Sequence, residues 1–334
     1  MRILILGGTR FLGRALTDAA AGRGDTVTLF NRGQTAPGLF PGIETIIGDR
    51  TSGLAELEGR DWDAVIDVAG QQPETVLLSA QALRQRTGRY VFVSTISVYA
   101  DQGSRESQTE DDGAVWELRD DMTDPGELYG ARKAAAERIV TDVYGDRALI
   151  PRPGLIVGPH DSTDRFPYWP RRIARGGLVL APGDPSGLVQ FIDVRDLAAW
   201  IVEACHHDTG GVFNLAGNPM TFGAFLDECR TATYSDAELT WIGSGRLLAA
   251  GAVPWTGIPL WLGDIDPAGF FNVDNSRAVA TGLTLRPAAD TIRDTLAWDT
   301  ERGGRPPDAP SLSAEDEARL ISQASLRPDS YPPP

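Results

Sequence analysis

Lysine is nearly missing from this chain. Of 31 basic residues in 334, one is lysine, Lys133, and the other 30 (31 − 1) are arginine. Arginine keeps its proton and offers a planar fork, whereas lysine is a compact point charge that can titrate. A chain that uses Arg almost everywhere and keeps Lys at one place directs attention to that place. Cysteine and histidine are scarce too. Cys205 and Cys229 stand apart from any paired metal spacing, and His160, His206 and His207 are too few for a metal cage. The expectation is two buried, reduced thiols and no metal centre. Long apolar runs are absent. The stretch 247–262 is broken by Pro254, Gly257 and Pro259, and Ile3–Leu6 is too short for a signal peptide. A cytoplasmic protein with no membrane partner is expected. Positive charge is also in deficit: the formal net charge of −15 opposes a nucleic-acid partner. The one tight basic group is Arg171, Arg172 and Arg175. It better fits a small anionic substrate, which makes Arg171 and Arg172 candidate substrate contacts.

Short apolar runs alternate with helical patterns through the first half. Strands are predicted at Ile3–Leu6, Thr26–Phe30, Thr45–Ile47, Asp63–Val68, Tyr90–Val93 and Ala148–Ile150. Helices are predicted at Leu12–Gly22, Pro73–Arg86 and Glu127–Val143, the last entered through Asp124 and Pro125. Continuous apolar strands separated by helices mean a parallel sheet covered on both faces. The fold class expected is α/β, a Rossmann-type doubly wound sheet with a smaller C-terminal substrate lobe. Residues 1–165 form the dinucleotide-binding domain, with 188–216 returning to it through a strand at Val189–Val194 and a helix at Arg195–Cys205. Residues 166–187, with a short helix at Phe166–Gly177, and 217–300 form the substrate lobe, and the Pro/Ser-rich tail 301–334 is expected to be loose.

The run Gly7-Gly8-Thr9-Arg10-Phe11-Leu12-Gly13 follows the first strand and opens the first helix. Gly7 permits a tight turn, Gly13 permits helix to pack closely on strand, and the helix N-terminus offers N–H groups to a pyrophosphate. Arg10 stands where the middle glycine of such turns usually stands and can aim its guanidinium at the ligand. The second strand ends in Asn31-Arg32, with no acid to hold a ribose hydroxyl pair. Arg10 and Arg32 together favour NADP over NAD, since a guanidinium suits a 2′-phosphate. Asp49 and Arg50 follow the third strand, and Ala69 and Gly70 follow the fourth; all four are candidate cofactor contacts, with Gly7, Thr9, Arg10, Phe11, Leu12, Gly13, Asn31 and Arg32.

Tyr129 and Lys133 are four apart on a predicted helix and so share a face. A fixed positive charge beside a phenol stabilises the phenolate and brings proton transfer within reach of neutral pH. The fifth strand runs into Ser94, Thr95 and Ser97, whose hydroxyls lie at the carboxyl end of a parallel strand, where the ligand crevice opens. One of them is expected to hold the substrate oxygen beside Tyr129.

Together these residues resemble the extended branch of the short-chain dehydrogenase/reductase superfamily, the epimerases, dehydratases and reductases that use NAD(P). The resemblance spans residues 1 to about 300. It rests on the glycine turn, Val93–Tyr99, Tyr129/Lys133, Arg152–Pro159, Gln190–Leu197 and Val212–Leu215. It implies that Thr95, four residues before Tyr99, is the active hydroxyl, with Tyr129 and Lys133 catalytic, Ser94 and Ser97 near the substrate and Pro153 near the cofactor. It also implies dimerisation through the two helices at Pro73–Arg86 and Glu127–Val143. Three departures stand out. Dehydratases of this branch carry Asp-Glu where this chain has Ile96 and Ser97. Val189 replaces an Arg used by many nucleotide-sugar enzymes, and Arg10 breaks the three-glycine pattern. The function expected is an NADP(H)-dependent oxidoreductase interconverting a secondary alcohol and a ketone on a small polar or sugar-like substrate. The alternatives are an epimerase with tightly bound cofactor and a non-catalytic dinucleotide- or RNA-binding protein.

Overall fold

A computed structural model describes residues 1–52, 54–101, 107–111, 113–304 and 311–325. They divide into two compact units. The first comprises 1–156, 191–217 and 273–285; the second comprises 157–190, 218–272 and 286–334.

The first unit is built on a parallel sheet of seven strands: β1 (Arg2–Leu6), β2 (Thr26–Asn31), β3 (Glu44–Ile47), β4 (Trp62–Asp67), β5 (Thr87–Phe92), β6 (Ala148–Pro153) and a last strand, Gly211–Leu215. From one edge the order is Gly211–Leu215, β6, β5, β4, β1, β2, β3. The chain therefore steps outward from β1 to β3, then returns to the other side of β1. That reversal lies between β1 and β4, which is where ligands enter sheets of this kind. Side chains alternate across the sheet. Ile3 and Ile5 join a core with Leu12, Leu16 and Ala20 of α1 (Phe11–Arg23) and Leu197 and Ile201 of α5 (Val194–His206). Leu4 and Leu6 point the other way, into a core with Val76 and Leu83 of α2 (Pro73–Leu83) and Val140 and Tyr144 of α3 (Pro125–Tyr144). Both faces are thus covered, and the strands are apolar on both sides for that reason.

Local chemistry sets the helix starts. The carboxylate of Asp124 accepts from the N–H groups of Gly126 and Glu127, each at 2.9 Å, and Pro125 occupies the first turn, where its missing N–H costs nothing. Asp193 caps α5 by accepting from Arg195 N at 2.8 Å. The single strand expected over Val189–Val194 is two short ones, Leu188–Val189 and Ile192–Asp193, because the chain passes from the second unit to the first between them.

The second unit packs α4 (Tyr168–Ala174), α6 (Phe222–Thr233) and the helix Ala288–Glu301 about an aromatic core of Phe166, Trp169, Phe222 and Phe225. The helix expected to end at Gly177 is shorter, since Gly176 and Gly177 take positive φ of 70° and 66°. The tail corrects an expectation. Residues 305–310 and 326–334 lie outside the described residues, but Ala314–Ser325 is a helix. Its Leu320 is 1% exposed, and its buried Glu317 accepts from Leu180 N at 3.0 Å and pairs with Arg172 at 2.6 Å. Composition suggested looseness; an amphipathic face with one buried anchor overrides it. Among the described residues no helix is long and apolar enough to cross a membrane.

Removing that anchor tests the tail. Leu320→Ala is expected to cost about 2–5 kcal/mol, read as an earlier midpoint in urea denaturation. A loose tail would leave the midpoint unchanged.

Candidate active site

A cleft of about 830 Å³ runs along the carboxyl ends of the first unit's strands. Its first wall is the turn after β1. Gly7 and Gly8 have φ of 121° and 95°, and a Cβ on Gly8 would stand 2.6 Å from Leu29. A Cβ on Gly13 would stand 2.7 Å from the backbone N of Gly8, so α1 can close onto the turn only with glycine there. Thr17 locks the same contact by donating to the carbonyls of Gly13 and Gly8 at 2.8 and 3.2 Å. Arg10 stands at the N-cap of α1 without a side-chain cap bond, and Thr9, Arg10, Phe11, Leu12 and Gly13 at this helix start line the cleft. A glycine turn of this shape at a helix start is suited to a pyrophosphate and so to a dinucleotide.

The far end of the cleft is lined by Asn31, Arg32 and Asp49. Asn31 has an internal duty. It donates to the Gly7 carbonyl at 3.2 Å and accepts from Gly33 N at 2.8 Å, bracing the turn. Arg32 is exposed beside it. Asp49 accepts from the N–H and hydroxyl of Thr51 at 2.9 and 2.7 Å; these bonds, aided by the charge of Arg32, hold its carboxyl below the usual range.

Of three expected cofactor contacts, Gly70 and Pro153 are absent from the cleft's lining, and Arg50 lines it while bound within the protein. Arg50 is clamped to fully buried Asp67 by two 2.7 Å bonds and donates to Ser79 Oγ at 2.8 Å. Its Asp67 partner also accepts from Tyr90 Oη at 2.9 Å and from Ala69 N at 3.1 Å. Burial opposes charge on Asp67, but the guanidinium prevails and keeps the carboxyl below its ordinary value. Arg50 touches the cleft only as the edge of this pair, whose rupture would cost about 3–5 kcal/mol. Gly70 is buried and outside the cleft; a Cβ there would meet Phe92 at 2.7 Å and Val76 at 2.8 Å. Pro153 is buried in β6 beside Leu215, and Ile156 lines the cleft instead. Ala69 does line it.

Tyr129 and Lys133 both line the cleft from α3. Tyr129 is 42% exposed; Lys133 is 5% exposed and donates to the Val93 carbonyl at 2.8 Å, with its ammonium 4.7 Å from the centre of the Phe92 ring. Burial lowers the Lys133 pKa to about 8, against the pull of Asp67 and Glu137, which favour its charge. α3 reaches this position through Gly130, a residue the sequence reading passed over. A Cβ there would stand 2.1 Å from the Ser97 carbonyl. One turn beyond Lys133, Glu137 forms a buried two-bond pair with Arg152 at 2.6 and 2.9 Å. Arg152 donates on to Tyr99 Oη at 3.1 Å, which donates to Asn214 at 2.8 Å. This network ties α3 to β6 and to the last strand.

The hydroxyls after β5 divide. Ser94 lines the cleft. Thr95 Oγ1 caps the following turn, accepting from Ser97 N at 3.1 Å and donating to Ser97 Oγ at 3.2 Å, so Thr95 and Ser97 engage each other outside the cleft's lining. Arg171 and Arg172 are corrected outright. Both belong to the second unit. Arg171 is buried between Asp164 and Asp299, at 2.6 and 2.9 Å, and Arg172 pairs with Glu317. Asp164 nearby and Asp299 and Glu317 far along the chain already neutralise what looked like an anion-binding patch. Conversely, Gln71, Gln72 and Thr75 line the cleft without a prior signal; polar residues at a helix entry are too common to mark a site.

A glycine cradle at the reversal of a parallel sheet, with Tyr and Lys on one helix face, defines a dinucleotide-binding protein of the Rossmann type. The chain belongs to the NAD dependent epimerase/dehydratase family, whose model matches residues 3–216. It is 24% identical over 250 residues to the chloroplast stem-loop binding protein of 41 kDa b of Arabidopsis thaliana, covering 69% of this chain and 63% of that protein. It is 26% identical to the bovine epimerase family protein SDR39U1 over 61% of this chain and 70% of that one. Among solved structures, Bordetella bronchiseptica WbmH with NAD+ superposes with TM-score 0.67 at 18% identity, over 90% of this chain and 99% of that one. Thermotoga maritima UDP-glucose 4-epimerase does so with TM-score 0.67 at 17% identity, over 90% and 99%. At those identities the likeness establishes the fold.

The lowered Lys133 pKa has a consequence for stability. Between about 8 and the ordinary 10.5 the unfolded chain holds this proton and the folded one does not, so Lys133 makes stability rise with pH across that window. Below it, the buried charge costs up to about 3 kcal/mol. Lys133→Met loses the bond to Val93 at every pH together with the cost of the buried charge, so its stability relative to the unmodified protein is expected to fall as the pH rises from about 8 towards 10.5. Urea titrations at several pH values would show this; a constant difference would contradict it.

Proposed function

We propose that this protein is an NADP(H)-dependent oxidoreductase that interconverts a secondary alcohol and a ketone on a small polar or sugar-like substrate. One observation carries the reading: Tyr129 and Lys133 open from one helix face into the same cleft as the glycine cradle. When bound, the dinucleotide supplies the hydride acceptor or donor. The cradle of Gly7–Gly13 holds its pyrophosphate. Tyr129 takes the hydroxyl proton in oxidation and returns it in reduction. Lys133 keeps a positive charge one helical turn away, which favours the phenolate, and its remaining N–H donors suit a ribose hydroxyl. Thr95 orients the substrate oxygen from the strand end once substrate competes for its hydroxyl.

Arg32 and Arg10 support the 2′-phosphorylated cofactor. Both line the cleft, and no carboxylate stands at the end of β2 to bind a free ribose pair. Asn31 leaves that role open, since its amide is committed to Gly7 and Gly33.

A second reading is an epimerase that oxidises and re-reduces one carbon on a cofactor it retains; family membership favours it. The two separate on cofactor behaviour. An epimerase purifies with cofactor bound and needs none added, while a reductase consumes it one for one. A nucleic-acid role, prompted by the name of the plant relative, runs against the net charge of −15.

NADPH is expected to bind more tightly than NADH, and Arg32→Ala to remove most of the gap; equal affinities in the unmodified protein would sink the assignment. Tyr129→Phe should bind cofactor nearly normally and lose turnover by about 10²–10⁴-fold. Lys133→Met should lose rate at pH 7 and regain part of it as the pH approaches the ordinary phenol range, as a pH–rate profile would reveal. Because Ile96 and Ser97 carry no carboxylate, no 4-keto-6-deoxy product should form from any nucleotide sugar, and mass spectrometry checks this.

A further inference from the structure

Of Ser94, Thr95 and Ser97, the hydroxyl-bearing residues after β5, Ser94 is the one that lines the cleft. Its residue is 4% exposed, and its Oγ has no hydrogen-bond partner among the described residues. A buried hydroxyl without a partner is disfavoured, and such an atom beside a cleft marks where a ligand's polar group belongs. Its backbone is pinned: Ser94 N donates to the Pro151 carbonyl at 2.8 Å, so the side chain cannot reach another partner by a shift of the strand. The neighbouring hydroxyls are occupied, with Thr95 and Ser97 bonded to each other.

We infer that the Ser94 hydroxyl is a cofactor contact at the nicotinamide-ribose end of the dinucleotide, and not the substrate contact its place in the sequence indicates. This rests on the dinucleotide reading above. Depth decides between the two ligands. Ser94 shares the floor of the cleft with Val93, Ile156 and the buried ammonium of Lys133, whereas Tyr129, which must meet an exchanging substrate, stands 42% exposed at the rim. The ligand that follows the floor from the glycine cradle is the dinucleotide. Lys133 spends one N–H on the Val93 carbonyl, the residue before Ser94. Ser94 and Lys133 line one cleft, which sets a hydroxyl that both donates and accepts in the same wall as a cation that only donates. A ribose hydroxyl or a carboxamide, each donor and acceptor, suits that pair; a bare carbonyl or an apolar ring does not. Ser94 thus acts as a positioning residue for the hydride-bearing end of the cofactor.

The test is binding, measured by fluorescence titration, with three probes: NADPH, 2′-phospho-ADP-ribose, which ends at the ribose, and adenosine 2′,5′-bisphosphate, which reaches only the adenine end. Ser94→Ala is expected to weaken NADPH by about three- to tenfold, the worth of one hydrogen bond, and to leave the bisphosphate unchanged. Loss of 2′-phospho-ADP-ribose in parallel puts the contact on the ribose; loss of NADPH alone puts it on the nicotinamide ring. Both support the inference. Ser94→Cys, close in volume but a poor hydrogen-bonding group, should weaken NADPH likewise and guards against a folding defect in the alanine variant. Without cofactor, neither variant should melt below the unmodified protein, because the hydroxyl has no partner in the fold. Unchanged NADPH affinity, equal loss of all three probes, or a melting temperature several degrees lower would each overturn the assignment. If the unmodified protein bound neither NADPH nor NADH, the dinucleotide reading itself would fall; unmodified binding with an indifferent Ser94→Ala would remove this inference alone.

Discussion

Lys133 reaches from α3 to the carbonyl of Val93, the first residue beyond β5, and this single bond joins the helix that carries Tyr129 to the strand that carries Ser94 and Thr95. For it to form, α3 must lie against the strand end closely enough that residue 130 has no room for a side chain. The same approach requires the small Ala131 and Ala134 on the buried face of the helix. One turn on, Glu137 anchors the helix through Arg152, and that guanidinium orders Tyr99 and, through it, Asn214. The sequence motifs at 94–99, 129–133, 152–153 and 212–215 are therefore one object. They look separate along the chain because a parallel sheet brings successive strand ends together only after long crossovers.

Much of this was legible because it depends on local rules. Apolar runs of strand length, capped helices and a glycine turn are set by backbone geometry and burial, so the sheet and its helices appear from periodicity with small errors at the ends. The Tyr129/Lys133 pair was legible because four residues is one turn of any helix. What was not legible depends on partners distant in sequence. Arg50 follows a strand and looks free to meet a ligand; its partner Asp67 is on the next strand, and only the parallel pairing of β4 with β1, of β1 with β2 and of β2 with β3 brings the two together. Arg171 and Arg172 read as a basic patch because Asp299 and Glu317 lie more than a hundred residues away. Gly70 is a glycine for Phe92 and Val76, not for a ligand, and a sequence cannot say which neighbour forbids a side chain. The tail misled in the opposite sense: its composition is that of a loose segment, yet buried Leu320 and the paired, buried Glu317 dock a helix.

The two kinds of cation in the first unit are used differently, and that explains the lone lysine. Arg50 and Arg152 are each held by a carboxylate through two parallel bonds, the geometry a planar fork fills best. Such a pair is closed: charge is cancelled inside the protein and little is left for a ligand. Lys133 is buried to a similar depth, but its hydrogen bond goes to a carbonyl, which cancels no charge. Asp67 and Glu137 act on it only through space, and burial outweighs them. The result is a cation in the cleft's lining whose pKa is drawn down towards neutrality. An arginine at this point would keep its proton under the same burial and would need a second oxygen in the plane of its fork, which the single carbonyl of Val93 does not provide. Arginine suits the closed, carboxylate-paired positions of this unit, and the buried position that faces a single carbonyl suits lysine.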